Sequence, residues 1–186
     1  MRSIVTSAYA RVPADVPRDN LTPLRLELER RLRAAVAEAR RADALELYLP
    51  MRLSGNVNLG ASIIVSEALL PARTCSDGAP GTASDPTEIA LQLLSGDMAA
   101  DVDVSSGEVD GALGVRRERV APAAVDRGAE MASRRVDYFV SVPGDPGRWL
   151  VAAFSTIGAG NPRDDLSDAL VEWFDALMTT FRWSWA

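Results

Sequence analysis

The sequence predicts an α+β domain: a largely antiparallel sheet of about six or seven strands with three helices packed on it. Three observations carry that expectation. Helical starts are marked by a capping residue followed by proline at Thr22-Pro23, Asp85-Pro86 and Asn161-Pro162. Short β-branched or alternating runs fill most of the remainder. Two pairs of such runs stand back to back around turn-forming residues, and helices are too few to alternate with strands, which favours hairpins over parallel crossovers.

In chain order, Ile4 to Val12 alternates loosely and is expected to be a strand. Thr22-Pro23 then opens a helix in which Leu24, Leu28, Leu32, Val36 and Ala39 recur every three or four residues. Glu27/Arg31 and Glu29/Arg33 form i,i+4 pairs on its outer side. Leu45 to Leu49 alternates cleanly, so one face is wet, and Ser62 to Leu70 is rich in Ile and Val. Residues 71–84, dense in Gly, Ala, Ser, Pro and Asp, read as a mobile loop rather than a boundary, and the whole chain, 1–186, as a single domain. Asp85-Pro86-Thr87-Glu88 opens a second helix that stops near Gly96. Strands over Ala100–Val104 and Val109–Val120 are expected to flank a turn at Ser105-Ser106-Gly107-Glu108. A second mobile loop, rich in Ala and Arg, is expected over 121–134. Arg135–Val142 and Trp149–Ile157 flank a longer loop, Pro143 to Gly147. Asn161-Pro162 opens the last helix, to Trp183. Leu166, Leu170, Trp173, Phe174, Leu177, Met178 and Phe181 fill its apolar face, with Asp168, Glu172, Asp175 and Thr179 opposite.

Composition narrows the chemistry. The 186 residues carry a formal charge of −6 and no histidine, and all 20 basic residues are arginine. Without histidine the chain lacks the side chain that titrates most readily near neutral pH and the commonest nitrogen ligand of zinc, copper and iron. Without lysine it forms no Schiff base and no phosphate-loop lysine contact. An acidic chain is a poor match for nucleic acid or an anionic membrane, so neither is expected as a partner. Cys75 is the single cysteine and has no internal disulfide partner. Met1 to Val12 has no apolar run of signal-peptide length, and no window approaches a membrane span. A cytoplasmic location is therefore expected.

Motif by motif, structural explanations prevail. Asp101-Val102-Asp103-Val104-Ser105 has the spacing of a phosphotransferase aspartate strand, but that chemistry needs a lysine. Read as a calcium loop from Asp101, the run puts glycine seventh and Ala112 twelfth, where glycine belongs sixth and a glutamate twelfth. Asp164, Asp165 and Asp168 fit helix capping and dipole complementation. No catalytic residue, metal ligand or cofactor is assigned. Two features are candidates for contact with a partner. Arg117 and Arg119 share one strand face, with cross-sheet pairing to Glu118, Asp137 or Glu46 as the plainer account. Trp183 and Trp185 follow the last helix at alternating positions and either form an exposed aromatic patch or close the core.

The runs Gly114-Val115-Arg116, Val136 to Gly144, Leu150 to Thr156, Leu170 to Leu177 and Phe181-Arg182-Trp183 resemble an uncharacterised actinobacterial protein family. The order of elements is also similar to the Mog1/PsbP-like fold, an antiparallel sheet with helices on both faces. The resemblance covers roughly residues 110 to 183 and implies a binding or assembly module. Mog1 engages a small GTPase and PsbP assists a photosystem, but no contact residue of either can be placed on this chain. The expected role is a non-catalytic domain that recognises another protein. Alternatives are a small-molecule binder or hydrolase-type enzyme using Asp, Glu and Arg in a sheet–helix pocket, and a structural homodimer.

Overall fold

The computed structural model describes residues 18–41, 43–50, 60–69, 86–95, 102–127 and 129–184. The expected strand Ile4–Val12, the loop 71–84, Cys75, Asp101 and Trp185 lie outside them. The chain divides into two compact units, 1–44 and 45–186.

In the first unit the described element is helix α1, Arg18–Arg41. It begins before Thr22-Pro23, not at that pair, so Pro23 lies inside the helix. A proline there has no N–H to give to the carbonyl four residues back. Glu27 takes Arg30 at 2.7–2.8 Å, and Glu29 takes Arg33 at 3.4 Å.

The second unit is built on a six-stranded antiparallel sheet. Its strands are β1 (Ala44–Tyr48), β2 (Ala61–Leu69), β3 (Val102–Val109), β4 (Ala112–Ala121), β5 (Ser133–Val142) and β6 (Asp145–Thr156), in the order β1-β2-β6-β5-β4-β3. Helix α2 (Pro86–Ser95) lies on one face and helix α3 (Asp165–Thr179) on the other. On the α2 face, Ile89 and Ala90 pack with Val115 and Trp149. On the α3 face, Val171, Phe174 and Met178 pack with Val136, Val140, Ala152 and Phe154. Phe174 stacks on Phe154 at 5.0 Å and meets the edge of Tyr138 at 5.7 Å.

The first hairpin turns elsewhere than expected, and the second turns within its expected loop but more tightly. The first turns at Asp110-Gly111, where φ is +49° and +77°, and Val109 faces Ala112. Two positive φ values in a two-residue turn match the right-handed twist of the flanking strands, and Asp-Gly is a favoured pair for that turn. Ser105 to Glu108 are therefore strand, not turn. The second hairpin turns tightly at Pro143-Gly144, with Gly144 at φ +80° and an irregularity at Ser141/Val142. Between β4 and β5 the described residues include a bridge between Ala124 and Ala129 and the 3-10 turn Val125–Arg127.

Helix α3 starts at Asp165, later than Asn161-Pro162. Asp164 is its N-cap: Oδ1 accepts the Ser167 N–H at 2.7 Å and Oδ2 the Ala159 N–H at 2.7 Å. These backbone donors hold the Asp164 carboxyl below the ordinary carboxylate range. Gly158, at φ +57°, must stay a glycine because a Cβ would collide with Ser167 Oγ and the Asp164 carboxylate. The helix ends at Thr179. Arg182 lies beyond its last turn, donating back to the Thr179 carbonyl at 2.9 Å. The buried stripe is also turned relative to the expected one, comprising Ser167, Val171, Phe174 and Met178. Trp173 and Leu177 stand 53% and 41% exposed.

Candidate functional site

In β4, Gly114, Arg116 and Glu118 point to the α3 face, and Val115, Arg117 and Arg119 to the α2 face. Register places Arg116 opposite Tyr138 on β5 and opposite Ser105 on β3. Asp175 reaches down from α3 onto this pair. Arg116 donates through Nε and Nη2 to the two oxygens of Asp175 at 3.0 and 2.9 Å. The Tyr138 hydroxyl donates to Asp175 Oδ1 at 2.9 Å. Glu118 accepts from Arg116 at 2.5 Å and from Arg134 Nε at 2.5 Å, and Arg134 also pairs with Asp168 near the start of α3. Asp103, 77% exposed on β3, lies 3.6 Å from Arg116 Nη1.

Burial alone would lower the Arg116 and Arg134 pKa values. Their carboxylate partners outweigh it and raise both above the ordinary guanidinium value. Tyr138 is pushed up to about 12 by burial and then by Asp175, so its phenol is protonated at neutral pH and acts as a donor. With three donors on its two oxygens, Asp175 is committed as an acceptor. The chain of charges ties α3 to β3, β4 and β5.

A cleft of about 310 Å³ lies beside this cluster, between β3 and the C-terminal half of α3. Its floor is the facing pair Gly107 and Gly114, with open space over Gly107 and the Val109 side chain against Gly114. A Cβ on Gly107 would meet nothing within 4 Å. Arg116, Tyr138, Asp175 and Met178 form one wall, and Ser105 through Asp110 the other. Among the described residues β3 pairs only with β4, so the cleft runs along an open sheet edge. A second groove, of about 430 Å³ and almost wholly apolar, lies on the other flank of α3 between Trp173, Leu170, Ile63 and Tyr48.

The residues expected to contact a partner do not converge. Arg117 and Arg119 lie on the α2 face, where both face Asp137, at 3.0 and 4.0 Å, and Arg117 also covers the Phe139 ring at 5.3 Å. That is the cross-sheet pairing weighed for them from sequence. Trp183 belongs to the opposite side, partly buried against the α3-face core and edge-on to Phe181 at 5.0 Å. Its backbone N–H donates to Asp110 Oδ2 at 2.7 Å. Arg116, Tyr138, Asp175 and Gly107 were not singled out from sequence. The available signal was the Asp110-Gly111 turn, which fixes Ser105 opposite Arg116 and Gly107 opposite Gly114.

No protein-family model matches the chain, and no curated protein matches it.

Proposed function

We propose that this protein is a non-catalytic accessory domain that recognises another protein. The observation that supports this reading is the state of the sheet–helix cleft. Its central carboxylate, Asp175, is saturated by Arg116 and Tyr138, and the cleft opens along β3, whose outer side has no partner strand among the described residues, instead of closing around a small ligand. An enzyme or small-molecule site of the alternative kind calls for an enclosed pocket with a carboxylate left unpaired. The same reading takes the fold to be Mog1/PsbP-like, a group of binding and assembly modules, and places the protein in the cytoplasm without nucleic acid or membrane as partner. No helix among the described residues is long and apolar enough to cross a membrane.

The test is reconstitution. Affinity capture from the native host, followed by mixing of the two purified proteins, should yield a complex that co-elutes at fixed stoichiometry. Failure of every captured protein to bind in purified form, or turnover of a small molecule by the isolated domain, would count against the proposal.

A further inference from the structure

The two edges of the sheet differ. β1 is five residues long and exposes Leu45 and Tyr48, whereas β3 is eight residues long and pairs with β4 in unbroken register. Natural sheets protect long edges with charged side chains, lysine above all, or with proline, a bulge or a covering element, and the charges of β3 are both acidic, Asp103 and Glu108. β3 has no proline, no basic residue and no bulge, and among the described residues nothing pairs with its outer side. Beside it lies the cleft over Gly107 and Gly114.

Resting on the protein-recognition reading above, we infer that the open edge of β3 receives an extended basic segment of a partner protein as an added strand. One arginine or lysine of that segment sits in the cleft over Gly107 and Gly114. Strand addition supplies main-chain hydrogen bonds, and because side chains alternate, every second residue of the added strand faces the α3 side. The cleft takes such a side chain in two parts. Met178 and Val109 offer apolar surface to an aliphatic stem, and the Asp110 carboxylate, which also takes the Trp183 N–H at 2.7 Å and lies 3.7 Å from Arg182, offers negative charge to its head. The single arginine of the lining, Arg116, is already held by Asp175 and Glu118. Glu108, opposite Leu113 in the register, faces the α2 side; it is exposed and has no ion pair among the described residues, so its charge acts at the strand edge and not in the cleft.

Charge decides the occupant. Residues 45–186 hold 20 of the 26 acidic residues but only 11 of the 20 arginines, and β3 adds Asp103 and Glu108 at the edge itself. A second copy of β3 would set acidic edge against acidic edge, which is unfavourable. A basic strand is attracted and is steered in from a distance.

The probe is a fluorescent seven-residue peptide of alternating arginine and valine, titrated by anisotropy against the full chain. Two controls accompany it: the same peptide with alternate backbone nitrogens methylated, and one with glutamate replacing arginine. The basic peptide should bind, and both controls should fail. Gly107→Val, whose Cβ meets no atom within 4 Å, and Glu108→Arg, which reverses an exposed charge at the strand edge, should each weaken binding by about tenfold or more. Far-UV circular dichroism and melting temperature should stay at the wild-type values. Equal binding of the methylated peptide, or binding untouched by both substitutions, would reduce the effect to diffuse surface charge and overturn the inference. So would sedimentation showing a homodimer that Gly107→Val dissolves, because the occupant would then be a second copy. A reconstituted protein partner that binds wild type and both variants alike would refute this site while leaving the recognition function standing.

Discussion

Arg116 and Asp175 meet in a two-pronged pair, 3.0 and 2.9 Å, across 59 residues of sequence, and this pair pins α3 to the centre of β4. Tyr138 adds a third donor to the same carboxylate. Replacing Asp175 with alanine leaves the guanidinium of Arg116 on the sheet without its main partner. A fully buried pair broken in this way costs about 3–5 kcal/mol. Asp175 is a third exposed, so about 2 kcal/mol is expected for Asp175→Ala, measured by urea unfolding. A change within a few tenths of a kcal/mol would show that the pair is decorative.

Tyr138 makes stability depend on alkaline pH. Its folded value is pushed up to about 12 from an ordinary 10.0, so the folded state keeps a proton that the unfolded state gives up first. The contribution is fully present below pH 10 and is lost as pH rises through about 12. Tyr138→Phe should remove that part of the alkaline decline in stability, and the tyrosinate absorbance of the wild type should include one late-titrating phenol that the variant lacks.

Helix α3 buries a stripe set by Phe174 rather than by Trp173. Phe174 is fully buried and stacked on Phe154, so Phe174→Ala should cost about 3–5 kcal/mol. Trp173 is 53% exposed, and Trp173→Ala should cost about 1 kcal/mol or less. Paired denaturation curves would check the order, and a reversal would mean that the helix is rotated towards the face its sequence suggests.

Asp110 has two tasks, one in the hairpin turn and one at the end of the chain. Its φ of +49° suits Asp or Asn, and its carboxylate accepts the Trp183 N–H at 2.7 Å. Asp110→Asn should keep both the turn and the tether, because an amide oxygen can still accept. Asp110→Ala should loosen the tail. Tryptophan fluorescence quenching by acrylamide should rise in the alanine variant and stay near wild type in the asparagine variant.

Much of the architecture is legible from sequence because strand and helix periods differ, and five of the six described strands begin within about three residues of their expected starts. The misplacements have local causes. Asn161-Pro162 has the form of a helix start, yet Asp164 captures two backbone N–H groups and delays the helix to Asp165. Ser105 to Glu108 has turn composition, but Asp110-Gly111 has the positive φ values that a two-residue hairpin demands. That error hid the site, since moving the turn removes Ser105 and Gly107 from β3 and dissolves the register that sets Arg116 beside Tyr138. Hydrophobic periodicity on α3 points to a stripe through Trp173, but the polar lattice of Asp168 and Asp175 with Arg134 and Arg116 rotates the buried stripe towards Ser167 and Val171. Pairings between residues so far apart leave no periodic mark in the sequence.

Hydrogen–deuterium exchange over residues 102–109, with and without the alternating arginine–valine peptide, tests the central claim most directly. If β3 is a recognition edge, its amides should exchange about tenfold more slowly when the peptide is bound, while those of β1 are unchanged. Protection confined to β1 or to the Trp173 flank of α3, or no protection anywhere at saturating peptide, would contradict it.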